Sequence, residues 1–288
     1  MKKMAIVVDS SCGLSRKQIE ELGWYFLPLK IELDGKIYDD GDNLLSTELF
    51  NHFSLDTKTY KTSCTPIGHV EEMIEKLSAE YENIVVFPIS KHLSSQYQNL
   101  KVMESVFAKL KVFDSQYISI LTLMRIFYFI DLVEKEGFSI DQALEKSAEW
   151  TGELSVSLVP KYNDYLVKGG RLSPSAATVA KLLKIVPIIA FDKGKLEKEG
   201  KGRIFTKAIC NNITAKLEND NNTSDIIILH NDSPDYATIK SFVESNFPND
   251  VYTSNLPNCI SIHTGPEAIV IIKSTKKLHD SLKKVINA

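Results

Sequence analysis

Cysteine is scarce and unpatterned in this chain: Cys12, Cys64, Cys210 and Cys259 are the four that occur. None stands in a C-x-x-C pair and none has a histidine at zinc-ligand spacing, so the usual signatures of a zinc site or a dithiol redox centre are missing. Reduced, buried or half-buried thiols are the remaining reading, and no metal or cofactor is expected. Long apolar runs are lacking too. The most apolar stretch, 118–133, is interrupted by Arg125 and Asp131. It falls short of the roughly 20 residues a membrane span needs and reads as a buried helix. There is no basic excess: the formal net charge is −3, which argues against a nucleic-acid partner. No signal peptide is visible, because Lys2 and Lys3 lead into a short run that ends at Asp9. The expectation is a cytoplasmic protein with no transmembrane segment, at most touching a membrane surface transiently. Internal repeats and low-complexity tracts are also absent. What is present, 43% hydrophobic and 25% charged residues over 288 positions, suits an ordinary globular protein of one large domain or two modest ones.

Three apolar runs in the first half share a pattern. Ala5 to Val8 leads into Asp9-Ser10-Ser11, Ile84 to Phe87 into Ser90 and Leu93-Ser94-Ser95, and Leu110 to Phe113 into Asp114-Ser115. Each reads as a buried strand, then small polar residues, then a helix. Strands alternating with helices imply a parallel sheet with right-handed crossovers, and ligands of such sheets sit beyond the carboxyl ends of the strands. Asp9, Thr62, Ser94 and Asp114 are therefore expected near one face of one parallel sheet. In Lys61-Thr62-Ser63-Cys64-Thr65-Pro66, Thr65 fits a helix N-cap and Pro66 the first helical position. A helix over 66–79 should follow, burying Val70, Ile74 and Leu77. Ser94 fits the N-cap of a helix reaching Val106. Helix N-termini present free N–H groups, which suits an anion or carboxylate.

In the second half, Val156 to Val159, Ile188 to Phe191, Ile226 to Leu229 and Ala268 to Ile272 read as strands. Asp192-Lys193-Gly194-Lys195 reads as the turn of a hairpin over 188–196. The fold class expected is α/β with two α/β domains, the first with a mainly parallel sheet and the second with a mixed or antiparallel sheet and helices. The boundary falls after a long helical stretch, dividing the chain into 1–152 and 153–288.

Asp9-Ser10-Ser11 supports two readings, a nucleophile with a helper or a turn whose side chains cap the next helix. Serine catalysis needs a base in reach, and no G-x-S-x-G elbow occurs. Lys168-Gly169-Gly170-Arg171 follows a helical run, 162–167, so the glycines read as a C-cap. The order needed to cradle a phosphate is absent, though Arg171 stays in reach of an anion. His263-Thr264-Gly265-Pro266 combines a titratable ring with a tight turn, either structural or functional.

Taken in order, Val8-Asp9-Ser10-Ser11, Pro28-Leu29, Thr62-Ser63, Ser90 through Leu93-Ser94 to Tyr97-Gln98, Asp114-Ser115, Tyr165-Leu166 with Lys168-Gly169-Gly170-Arg171, 182–188, Arg203 with Lys207-Ala208, and His263-Thr264-Gly265-Pro266 resemble the DegV family over essentially the whole chain. The resemblance implies a non-catalytic protein that holds one long-chain fatty acid between two domains. It places the carboxylate at Thr62 and Ser94 with His263 close by, and Ser95, Ser10 and Arg171 complete the expected ligand-binding set. It also implies a separate fatty acid kinase that phosphorylates the bound acid to an acyl phosphate, docking at Arg203. Two turns depart from the family pattern. T-S-Q-P is Thr62-Ser63-Cys64-Thr65-Pro66 here, and L-S-G-T is Leu93-Ser94-Ser95-Gln96. The helix after Asp114-Ser115 is bulkier than in relatives. The competing readings are an acyl-ester hydrolase, with His263 as its base, and a phosphotransfer protein of related fold.

Overall fold

The computed structural model describes residues 2–172, 178, 185–221 and 223–286. Residues 182–184 of the 182–188 segment lie outside the described residues. The chain divides into two compact units, 1–149 with 257–259, and 150–256 with 260–288.

The first unit runs β1 (Lys2–Asp9), α1 (Arg16–Glu21), β2 (Tyr25–Leu27), β3 (Lys30–Leu33), β4 (Lys36–Asp39), α2 (Leu49–His52), β5 (Tyr60–Ser63) and α3 (Ile67–Glu80). It continues through β6 (Tyr81–Phe87), α4 (Gln96–Met103), β7 (Leu110–Val112), α5 (Ile120–Glu134) and α6 (Ile140–Ala148). Strands β2-β1-β6-β7 pair in that order and every pairing is parallel. Both faces of this sheet are covered, which is why its strands are continuous apolar runs rather than alternating ones. Ala5, Val7, Ile84 and Val86 pack on one face against Val70, Ile74 and Leu77 of α3 and Leu100 and Met103 of α4. On the other, the Phe87 ring lies 5.4 Å from Phe129 of α5. The apolar stretch around 118–133 is thus the buried helix α5, and its one arginine is accommodated: Arg125 is 3% exposed and stands 4.8 Å from the Tyr117 ring centroid, a cation–π contact.

Two local expectations are corrected, at Thr65 and at the bounds of α4, and the strand that carries Thr62 is located. Thr62 lies in β5, which joins a separate antiparallel sheet, β4-β3-β5, and not the parallel one. Thr65 is not a cap: α3 begins at Ile67 after Pro66, and the Thr65 hydroxyl donates instead to Pro28 O at 2.9 Å. Helix α4 begins at Gln96 and ends at Met103. Ser95 occupies the cap position without a side-chain bond, while the Ser94 Oγ accepts from Gln96 N–H at 3.2 Å, a local serine turn.

The second unit runs β8 (Leu154–Val159), α7 (Asn163–Gly169), β9 (Val186–Asp192), β10 (Lys195–Gly202), α8 (Phe205–Leu217) and β11 (Asp225–His230). It ends with α9 (Tyr236–Asn246), β12 (Val251–Asn255), α10 (Asn258–Thr264), whose first two residues belong to the first unit, β13 (Ile269–Ser274) and α11 (Asp280–Ile286). The sheet order is β10-β9-β8-β13-β11-β12. Among the described strands of this sheet, β11 and β12 pair in parallel and the others antiparallel, so the sheet is mixed. Helices α8 and α9 cover one face, where Ile209, Ile213, Ile239 and Val243 meet Ile226, Ile228, Ile269 and Ile271. The β9–β10 turn has positive φ at both Lys193 (46°) and Gly194 (81°), the backbone a two-residue hairpin turn demands.

Candidate functional site

The turns that follow β1, β6 and β7 are tied together at the carboxyl edge of the parallel sheet. Asp9, the last residue of β1, accepts from Ile89 N–H at 2.7 Å and from the backbone N–H and hydroxyl of Ser11. Ser90 N–H donates to Tyr117 O at 2.9 Å, and Ser119 N–H to Ser11 O at 2.8 Å. A second carboxylate, Asp40, lies in the same buried layer. It accepts from the Ser10 hydroxyl at 2.9 Å and from Cys259 N–H at 3.2 Å, while Asn258 donates to Leu44 O at 2.8 Å. Burial pushes both Asp9 and Asp40 up to about 6, because a carboxylate stripped of water loses more than these donors return. The same burial raises the thiols of Cys12 and Cys259, leaving both protonated and inert. Ser10 is engaged on both sides: it donates to Asp40 and accepts Leu29 N–H at 3.1 Å. Both bonds hold the Ser10 side chain in place within this layer. Asp114 turns outward to pair with Lys91 at 2.6 Å.

The end of β5 meets the turn before α4. Thr62 and Cys64 stand on one side of their strand, half-buried, while Lys61 and Ser63 on the other are exposed. The Cys64 Sγ lies 3.9 Å from the Ser94 Oγ. One residue further on, Thr65 N–H donates to Gln96 Oε1 at 3.1 Å and Gln96 Nε2 donates to Thr65 Oγ1 at 3.1 Å. Thr62 and Ser94 are thus carried on two segments locked to each other, with half-buried neutral hydroxyls. Ser95 is exposed.

In the second unit the two glycine-bearing motifs pack together. Helix α7 ends with Gly170 in the left-handed region, φ 68°, as the C-cap reading requires. A Cβ on Gly169 would fall 3.1 Å from the His263 Cβ, and one on Gly265 (φ 80°) only 2.5 Å from Tyr165 Cδ2. Both glycines permit close approach, and together they set the imidazole beside α7. Burial, with the nearby Arg171 charge, lowers His263 to about 4, so at neutral pH the ring is an uncharged donor or acceptor. Arg171 itself is exposed and donates to Gly169 O at 2.6 Å. Arg203 is also exposed. Among the described residues, no group of three or more His, Cys, Asp or Glu is placed to hold a metal, and no helix is long and apolar enough to cross a membrane.

The family model described as uncharacterised protein, DegV family, matches residues 3–276. The chain belongs to the DegV family. A DegV domain-containing protein of Mycoplasmopsis pulmonis is 38% identical over 285 residues, covering 97% of this chain and 98% of the relative. Among solved structures, the fatty-acid-binding DegV family protein of Thermus thermophilus superposes with a TM-score of 0.80 at 22% identity, covering 94% of this chain and 99% of its own. A stearic-acid-binding protein of Eubacterium ventriosum gives 0.79 at 22% identity, covering 96% and 99%. The DegV fold accounts for the parallel sheet of the first unit and the mixed sheet of the second.

Two residues of this DegV chain's polar layer escape a reading of the sequence. Asp40 lies in Asp39-Asp40-Gly41-Asp42, which has the composition of a solvated turn. Gln96 is 1% exposed, and nothing in a helical pattern marks one glutamine as buried. The Asp34-Gly35 pair, with φ 47° and 82°, was a legible hairpin signal for β3 and β4.

Proposed function

We propose that this DegV-family chain binds a single long-chain fatty acid, with Thr62 and Ser94 donating to its carboxylate, and presents that carboxylate to a separate kinase for phosphorylation to an acyl phosphate. The observation that carries the reading is the junction of β5 with the turn before α4. It puts two half-buried hydroxyls on segments braced against each other, in a chain whose fold matches proteins described as fatty-acid-binding. A carboxylate taken out of water needs such donors, and each buried CH₂ of the acyl chain adds roughly 0.8 kcal/mol, so a charge partner is unnecessary. His263, uncharged at neutral pH, is proposed as a further donor. Ser10 and Arg171 are proposed to act indirectly, since their polar groups are engaged within the protein.

Native mass spectrometry of gently purified protein tests the ligand. The expected result is a bound species of fatty-acid mass, removed by delipidation and restored by added oleate. Turnover of an acyl ester with no retained acid overturns the reading in favour of a hydrolase. The kinase step has its own test at Arg203. Arg203→Ala is expected to leave oleate affinity unchanged and to reduce acyl phosphate formation by the partner kinase. Equal loss of both removes the docking role.

A further inference from the structure

The two turns that depart from the family pattern meet in space. The added Thr65 and the altered Gln96 bond to each other twice: Thr65 N–H to Gln96 Oε1 and Gln96 Nε2 to Thr65 Oγ1, both at 3.1 Å. Thr65 is 3% and Gln96 1% exposed, so each would be costly there without the other. The pair is anchored to a third segment, because the Thr65 hydroxyl donates to Pro28 O at 2.9 Å. Gln96 also acts through its backbone, its N–H donating to the Ser94 Oγ at 3.2 Å.

We infer that Gln96 is a positioning residue for carboxylate recognition, setting the Ser94 hydroxyl through its backbone N–H and the Thr62–Cys64 strand end through Thr65. This rests on the head-group reading above. A serine hydroxyl has one hydrogen to donate and two lone pairs. The Gln96 N–H fills one lone pair and, with the Cys64 thiol as donor in its 3.9 Å contact, the other is filled too, which leaves the Ser94 hydrogen to be offered outward to a carboxylate oxygen. The side-chain amide fixes where that hydroxyl stands relative to Thr62, because Thr65 follows Thr62 by three residues along a chain held at both points. Gln96 is engaged inwardly at every one of these bonds, so it acts without touching the ligand.

The test compares oleate with oleyl alcohol, which share a chain and differ at the head group, on the delipidated full-length protein. A brace that merely keeps the fold would lower affinity for both alike. A positioning role lowers the preference for the acid. Gln96→Met, which keeps the length and removes the amide, is expected to weaken oleate binding about tenfold and oleyl alcohol binding by less than about twofold. Thr65→Val, which keeps the shape and removes the hydroxyl, is a second route to the same change. The double variant is expected to be no worse than Gln96→Met, since the two residues act as a unit. An acid-to-alcohol preference unchanged from wild type in both single variants overturns the inference while leaving the head-group site in place. A wild-type protein with no preference for the acid overturns the head-group reading, and the inference with it.

Discussion

The double variant Thr62→Ala, Ser94→Ala is expected to bind oleate on the order of 100-fold more weakly than wild type, from two lost donors at roughly 1–3 kcal/mol each. The acyl chain still supplies its burial energy, so residual binding should persist and should lose its sensitivity to the head group. The local cost to the fold is small. Ser94 accepts one backbone N–H in its turn, and a lost turn or cap bond of this kind costs about 1 kcal/mol. Thr62 stands on a strand whose register with Ile31 is held by backbone bonds. Calorimetric titration beside thermal unfolding separates the two effects. A double variant that melts earlier yet binds oleate as tightly as wild type places the carboxylate elsewhere. Ile120→Ala gives the contrasting case: Ile120 is buried, and its truncation should cost stability while leaving the preference for acid over alcohol intact.

Replacing Asp40 by asparagine should change how stability depends on pH. In the folded protein burial holds the Asp40 carboxyl up at about 6, against roughly 4 for an unfolded aspartate. Well below pH 4 it is neutral in both states and costs nothing extra. As pH rises through 6 the folded state must carry a buried charge, and the stability present at low pH is lost. Asp40→Asn has no such loss. Its amide oxygen can still accept from Ser10 and Cys259, as Asp40 Oδ2 does. The unfolding free energy of the variant, relative to wild type, should therefore rise by about 2 kcal/mol between pH 4 and pH 7. Taking the difference matters, because His263 and His230, lowered by burial, lose stability as pH falls over the same window. Urea unfolding of both proteins at the two pH values measures it. A difference flat with pH would mean that Asp40 titrates as an exposed aspartate does.

Much of the architecture was legible because it depends on local rules. Ala5 to Val8, Ile84 to Phe87 and Leu110 to Phe113 are apolar without alternation, and only strands covered on both faces are so. Lys193-Gly194 marks the β9–β10 hairpin because glycine tolerates positive φ at little cost. Gly170 ends α7 for the same reason. The placement of Thr62 was not legible. The alternation of Lys30 to Leu33 and Lys36 to Asp39 is short, and the pairing of β3 with β5 is a long-range contact that periodicity does not encode. The capping assigned to Thr65 failed because its hydroxyl had a better partner in Pro28 O, some 37 residues away in the chain.

The sequence alone determined the main element types, the parallel sheet of the first unit and the family, and left the second unit's sheet as mixed or antiparallel, since hydrophobic period, turn chemistry and motif order are properties of neighbours along the chain. Only the tertiary structure decided which polar residues are buried and what they bond. Asp40 became a buried acceptor for Ser10 and Cys259, and Gln96 became the partner of Thr65. The physical reason is that a polar group's role depends on whether water remains beside it. Burial sets that, and burial arises from segments distant in sequence closing over the same point.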